Sequence, residues 1–224
     1  VAVALALQQG KVNPGTLIAT GNGRMQIGTA NIGDTHAYGT LTVDGVVQKS
    51  SNVGTVKISQ RLTGEDMWEN FSNIGLGQKP DLPFPGMAAG RLRPYKSWRE
   101  VEKATMSYGY GLSASLFQLA RAYSVFARDG VMMPVTLVRD GVVDSTGKFK
   151  PLEKSEGKRV YSPKVAKQVL HMLHIVTLPG GTAQQAQTVG YSVGGKTGTA
   201  RKQEGKGYDA GKYRAWLNGS APTD

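Results

Sequence analysis

Gly190-Tyr-Ser-Val-Gly-Gly-Lys-Thr-Gly-Thr-Ala200 satisfies three overlapping patterns, and the choice among them decides the fold. As GxxxxGK[ST], Gly190 to Thr197 matches a phosphate loop, with backbone amides around phosphates and Lys196 on the outermost one. Such a loop must follow a buried strand and open a helix. Here polar Thr182-Ala-Gln-Gln-Ala-Gln-Thr188 precedes it, and Gly198, Gly205 and Gly207 follow. As GxSxG, Gly190 to Gly194 would set Ser192 on a strained strand-to-helix turn. That reading needs the same missing helix and a His after the Ser, whereas His36, His171 and His174 all precede it. The third reading is an edge strand bearing Lys196-Thr197-Gly198-Thr199: a cation, hydroxyls beside it, and a Gly that lets another backbone approach. Such a strand can hold a substrate's carboxylate and backbone.

Working outward, residues 190 to 201 and 212 to 219 read as a hairpin around a Gly- and Lys-rich loop. Before it, Ser162 as N-cap and Pro163 at the first helical position open a helix that Pro179-Gly-Gly181 stops. Residues 113 to 129 carry Leu116, Leu119, Ala120, Tyr123 and Ala127 at helical spacing, with Gly130 at the C-terminal cap. A strand over 131 to 139 and a turn at Asp144 to Gly147 follow it. Val53, Val56 and Leu62 fit a helix beginning near Ser50, and Met67, Trp68, Phe71 and Ile74 fit another closed by Gly75. Pro80, Pro83 and Pro85 mark an irregular connection, and Tyr38 to Val43 is a β-type run ending in a turn at Asp44-Gly45. The chain opens with helix formers from Val1 to Gln9, closed by Gly10 and with no capping residue before them, so it reads as starting inside a helix. Helices and antiparallel strands in separate blocks predict an α+β domain.

Composition bounds the function. The 224 residues hold 27 Lys plus Arg, 16 Asp plus Glu, no Cys and 39% hydrophobic residues, enough for a sizeable core. Lack of Cys removes disulfides, thiolate metal sites and cysteine nucleophiles. The net charge of +11 favours polyanions, yet Lys and Arg are scattered and do not interleave with aromatics, so no nucleic-acid partner is predicted. The longest apolar run, Val1 to Leu7, falls far short of the roughly 20 residues that span a bilayer. His171 and His174 lie three apart on a predicted helix as two possible metal ligands. A third ligand at a recognisable spacing is missing, so they read as helix-surface imidazoles.

Ser50-Ser51-Asn52 stands at the predicted loop-to-helix boundary. A Ser hydroxyl and an Asn amide there can relay protons and bind a peptide carbonyl, or simply cap the helix. SxN followed by KTG resembles the serine acyltransferases that include penicillin-binding proteins and class A β-lactamases. Gln48-Lys-Ser-Ser-Asn-Val-Gly-Thr-Val-Lys57, Thr105-Met-Ser-Tyr-Gly-Tyr-Gly-Leu-Ser113 with Gln118-Leu-Ala120, and Gly195-Lys-Thr-Gly-Thr-Ala200 sharpen the resemblance to division-type class B penicillin-binding proteins.

The resemblance implies an α+β transpeptidase fold, an antiparallel sheet flanked by helices, and a D,D-transpeptidase that cross-links peptidoglycan stem peptides and is acylated by β-lactams. Catalytic roles would fall to Ser50 in proton transfer, Asn52 on the acyl-side amide and Lys196 as the electropositive centre. Thr197 and Thr199 would bind the carboxylate, Gly198 would lie between them in the strand, and the Thr199 amide would give half of an oxyanion hole. No metal or cofactor is implied. The family's nucleophile belongs to an SxxK at a helix start, which brings Ser and Lys onto one face. Ser145-Thr-Gly-Lys148 and Ser155-Glu-Gly-Lys158 match the letters in turn-like sequence and read as decoys. The nucleophile is therefore expected immediately before Val1, and a further strand and closing helix after Asp224. On this reading residues 1–224 are the middle of the domain, inactive alone, with the remaining segments of the same polypeptide as partners. The family further implies division-complex proteins as partners and a site at the periplasmic face of the inner membrane, anchored by an N-terminal helix outside this chain. A D,D-carboxypeptidase, a β-lactamase or a basic binding module are the alternatives.

Overall fold

A computed structural model describes the chain apart from Pro83, Arg139, Asp140, residues 152–155, 205–206 and Asp224, and apart from the side chains of 201–210. The Ser155 decoy and the tip of the 190–219 hairpin thus lie outside the described residues. In chain order the elements are α1 (Ala2–Gln8), β1 (Leu17–Gly21), β2 (Arg24–Ile27), β3 (Ala30–Gly33), β4 (Gly39–Thr42), α2 (Val43–Gln48), α3 (Asn52–Ser59) and α4 (Gly64–Asn73). There follow α5 (Glu100–Met106), α6 (Leu116–Ser124), β5 (Val131–Met132), β6 (Gly141–Val143), β7 (Phe149–Pro151), β8 (Lys158–Arg159), α7 (Pro163–Thr177), β9 (Gly194–Glu204) and β10 (Gly207–Ser220). Every described ladder is antiparallel, pairing β1 with β4, β2 with β3, β5 with β8, β6 with β7 and β9 with β10. This is the expected α+β architecture.

The helices form where local chemistry asks for them. In α7 the Ser162 hydroxyl accepts from the Val165 amide at 3.3 Å, and Pro163 sits at the first position. Its buried stripe of Val165, Val169, Met172 and Leu173 packs into the main core with Ala4, Ala6, Val43, Val46, Met67, Phe71 and Phe126. Helix α1 is buried from Ala2 through Leu7, which suits an all-apolar helix at the centre of the fold. A smaller cluster of Ile27, Ile32, Val53, Val56 and Ala104 joins the β2–β3 hairpin to α3 and α5.

Four local expectations are corrected. Asp44-Gly45 lies in the first turn of α2, because the Thr42 hydroxyl caps that turn by accepting from the Gly45 amide at 3.0 Å and Val43 and Val46 are buried. The helix over 113–129 starts at Leu116, behind a Ser115–Gln118 capping box, and tightens into a 3-10 turn at Phe126–Arg128 before Gly130. The strand over 131–139 shrinks to Val131–Met132, with Arg139 outside the described residues. His174 is half-buried and its Nδ1 lies 2.9 Å from the Val193 carbonyl, so of these two only His171 is a helix-surface imidazole. Ser145-Thr-Gly-Lys148 forms the β6–β7 turn around the Asp144 carboxylate, as expected, and so lacks the helical turn that the SxxK motif needs. Among the described residues no helix is long and apolar enough to cross a membrane.

Candidate active site

The two wings of the site come from segments 146 residues apart and meet at one hydrogen bond: Lys196 Nζ donates to Ser50 Oγ at 2.6 Å. The Ser50 wing is a corner between two helices. At the end of α2 the Ser50 amide donates to the Val47 carbonyl at 3.2 Å and the Ser51 amide to the Val46 carbonyl at 3.0 Å, the paired bonds of a Schellman motif. Ser50 fills the left-handed position of that motif, at φ +56°, where Gly is the usual residue. A β-substituted residue there costs on the order of 1 kcal/mol, strain of the kind that accumulates at functional positions. Ser51 is then the N-cap of α3, its hydroxyl accepting from the Gly54 amide at 2.8 Å. Capping and chemistry thus fall on adjacent serines. Gly54 allows the tight corner, since a Cβ there would stand 2.5 Å from Val46 Cγ2.

Asn52, first residue of α3, donates from Nδ2 to the Gly33 carbonyl at 3.0 Å, which leaves Oδ1 and its second N–H for other partners. Behind Ser50, Lys49 Nζ donates to the Gly180 carbonyl at 2.8 Å and Gln48 Nε2 to the Ile175 carbonyl at 3.2 Å. These bonds fasten the Ser50 corner to the end of α7 and the turn leading into β9.

The other wing is β9. No helix follows Gly190 to Thr197, so neither the phosphate-loop nor the GxSxG reading stands; Ser192 instead bonds the Thr223 hydroxyl. Thr197 and Thr199 share one face of β9, opposite Leu217 and Ala215, while Lys196 and Gly198 share the other. Thr197 Oγ1 lies 2.8 Å from Thr182 Oγ1, and Thr199 is exposed. Gly198 is corrected in one respect: the space over it is filled by the chain's own Trp216, whose Cζ2 and Nε1 lie 2.5 Å from where a Cβ would stand. Among the described residues β9 pairs only with β10, so its second edge is open beside Ser50.

Burial lowers the Lys196 ammonium from its ordinary 10.5 to about 8. It remains mostly cationic at neutral pH, with a neutral minority able to take a proton. No group of three or more His, Cys, Asp or Glu side chains fit for a metal occurs among the described residues. Sequence reasoning missed Thr182 and Asp34, whose carboxylate binds Ser51 and the start of α3. Neither belongs to a motif with a readable spacing.

A Ser paired with a half-buried Lys beside an open strand edge is an arrangement suited to proton relay and carboxylate recognition. The penicillin binding protein transpeptidase domain model matches residues 1–224. The chain belongs to that family. The probable peptidoglycan D,D-transpeptidase PenA of Neisseria meningitidis is 40% identical over 220 residues, covering 98% of this chain and 36% of PenA. The peptidoglycan D,D-transpeptidase FtsI of Escherichia coli is 35% identical over 98% of this chain and 35% of its own length. The apo TP domain of Burkholderia pseudomallei penicillin-binding protein 3 superimposes with a TM-score of 0.89 at 52% identity, over 99% of this chain and 64% of that one. Penicillin-binding protein 3 from Mycobacterium tuberculosis, complexed with aztreonam, gives 0.89 at 31% identity, over 99% and 51%. This is a transpeptidase domain of the FtsI and penicillin-binding protein 3 type, and it spans about a third of the length of the curated relatives it matches.

Proposed function

We propose that residues 1–224 are the central part of a peptidoglycan D,D-transpeptidase domain that cross-links stem peptides in septal wall synthesis and is acylated by β-lactams. The observation that carries the proposal is the 2.6 Å bond from Lys196 to Ser50, which joins the SxN and KTG segments into one site. The nucleophilic Ser and its Lys precede Val1.

In the first step the nucleophile's oxygen bonds to the carbonyl carbon of the penultimate D-Ala and the bond to the terminal D-Ala nitrogen breaks. The nucleophile's proton ends on that leaving nitrogen, and Ser50 carries it: with its oxygen accepting from Lys196, its own O–H is free to be given and regained. In the second step an amine of a neighbouring stem takes the acyl group and its proton returns to the nucleophile. Lys196, mostly cationic, keeps the site electropositive, and its pKa near 8 makes brief proton loss inexpensive. Thr197 and Thr199 bind the terminal carboxylate, Asn52 holds the acyl-side amide, and the Thr199 amide gives half of the oxyanion hole. Gly198 makes room for Trp216 between the two threonines. Division-complex partners, a periplasmic location and anchoring by an N-terminal helix outside this chain follow from the same reading, supported by the likeness to FtsI.

Without its nucleophile the 224-residue chain is inactive, a loss on the order of a million-fold for acyl-transfer sites. The test is intact mass spectrometry after incubation with a β-lactam, on this chain and on a polypeptide extended before Val1 and after Asp224. Acylation confined to the extended polypeptide, at a Ser upstream of Val1, is the expected result. Acylation of the 224-residue chain, or of neither, would overturn the proposal.

A further inference from the structure

Asp34 follows the last residue of β3 and turns its carboxylate onto the start of α3. Ser51 Oγ donates to Oδ2 at 2.6 Å, and the Val53 amide donates to Oδ1 at 3.0 Å. These two donors bracket Asn52, whose own amide is held by the carbonyl of Gly33, the neighbour of Asp34 in sequence. The carboxylate is itself anchored, because the Asp34 amide donates to the Gly23 carbonyl at 2.9 Å and so ties it to the β2–β3 hairpin. Ser51, only 1% exposed, has no freedom left: its hydroxyl gives its proton to Asp34 and accepts from Gly54.

The arrangement bears directly on Ser50. A left-handed Ser between two helices is a strained conformation that persists only where its neighbours over-determine it. On the N-terminal side the Schellman bonds do this. On the C-terminal side Ser51 stands between Ser50 and α3, held at its hydroxyl by the Gly54 amide and by Asp34. We infer that Asp34 is a positioning residue for the acyl transfer, acting through Ser51 to hold Ser50 under Lys196 and through the start of α3 to hold Asn52. The inference rests on the transpeptidase reading for the reaction it serves, while the latch itself is a matter of structure.

Asp34→Asn tests it with little change in shape. The Val53 amide can only donate, so the Asn oxygen must turn to it, which sets the Asn NH2 against Ser51 and leaves the Ser51 O–H without an acceptor. In the extended polypeptide, stopped-flow β-lactam acylation separates the non-covalent dissociation constant from the acylation rate. The expected result is an acylation rate per folded molecule lower by about tenfold to a hundredfold, the usual consequence of displacing catalytic groups by an ångström. The dissociation constant should stay within about threefold, since uniform binding is not what the latch provides. Amide exchange at Val53 and Gly54 should quicken. Ser51→Ala, which deletes the hydroxyl alone, should lower the same rate, and the double variant should be no worse than the poorer single one, as for residues acting as a unit. Should Asp34→Asn fail to fold, the Ser51→Ala rate decides. A wild-type acylation rate in the folded variants, or additive losses, would overturn the inference. Failure of the wild-type polypeptide to acylate would overturn the transpeptidase reading and this role with it, whereas unchanged exchange at Val53 and Gly54 would overturn the latch alone.

Discussion

Replacing Gly198 by Ala should damage both stability and acylation, and the sign of the effect carries the argument. Gly198 lies inside an extended strand and is not among the glycines with positive φ. On backbone grounds alone Ala would be preferred there by roughly 0.5–1 kcal/mol. The structure reverses that expectation, because the new Cβ would stand 2.5 Å from Trp216 Cζ2 and Nε1. Ordinary carbon contacts are about 3.5–4.0 Å, so the indole or the strand must move by about 1 Å. Overpacking of this kind costs about 1–3 kcal/mol. At about 2 kcal/mol, the melting temperature of a domain this size falls by about 4–8 °C.

If the strand is what moves, Lys196 and the two threonines move with it, the 2.6 Å bond to Ser50 lengthens, and the acylation rate drops by about a hundredfold. The assay is a double-mutant cycle with Trp216→Ala, read by thermal unfolding and by β-lactam acylation of the extended polypeptide. With the indole gone, Gly198→Ala should be neutral or slightly stabilising. An equal loss in both backgrounds would refute the steric account, and a gain in the wild-type background would show that the strand tolerates the side chain.

Two further outcomes follow from buried polar groups. Lys196 releases its proton near pH 8 in the folded chain and near 10.5 when unfolded, so between those values the unfolded state binds more protons and stability should rise with pH. The full rise is about 3 kcal/mol. Above pH 10 it is opposed, because burial raises the Tyr123 phenol to about 12 and that of Tyr161 further still, whereas both ionise near 10 once unfolded. Urea titrations from pH 7.5 to 9.5 should therefore show the rise, and Lys196→Met should remove most of it, the remainder coming from Lys103, which burial also lowers; a flat wild-type profile would contradict burial as the cause. Gln118→Leu should cost about 3 kcal/mol, since Gln118 is 2% exposed and its amide donates to the carbonyls of Gln78 at 2.9 Å and Ala89 at 2.8 Å while accepting from the Ser115 amide at 2.9 Å. A fall in melting temperature of about 6–12 °C is expected, and a fall under 2 °C would mean that water replaces the amide.

What could be read in the sequence was set by the range of the interactions involved. Helix α7 was legible because its signals are local: Ser162 caps it, Pro163 opens it and Pro179 ends it. The β9–β10 hairpin was legible because alternation and turn chemistry act within one stretch, although β9 starts at Gly194, inside the predicted limit, and runs on to Glu204, while β10 extends from Gly207 to Ser220. Helix α2 was not, because Asp-Gly is a turn signal and only the burial of Val43 and Val46 against the core makes it helical. The strand predicted over 131–139 failed for the converse reason: its apolar residues Leu137 and Val138 are exposed, and only Val131 and Met132 find partners, in β8.

The site shows the same division more sharply. Ser50, Asn52 and Lys196 were found through short motifs, yet the motif cannot say which serine of Ser50-Ser51 does what. A helix-capping reading and a proton-relay reading competed for the triplet as if one excluded the other. In the structure the two fall on different residues: Ser51 caps α3, and Ser50 is left to pair with Lys196, where the proposed relay would act. Ser51 caps α3 and is pinned by Asp34; that pinning leaves Ser50 as the residue that must bridge two helices in a left-handed conformation, with its hydroxyl free of either helix and 2.6 Å from Lys196. A cap placed one residue earlier would have tied up the Ser50 hydroxyl on an α3 amide, and one placed later would have removed the Asn52 side chain from its bond to Gly33. The position of the cap therefore selects which serine is left facing Lys196. The carboxylate that fixes it comes from a loop 17 residues away, with no spacing rule to announce it.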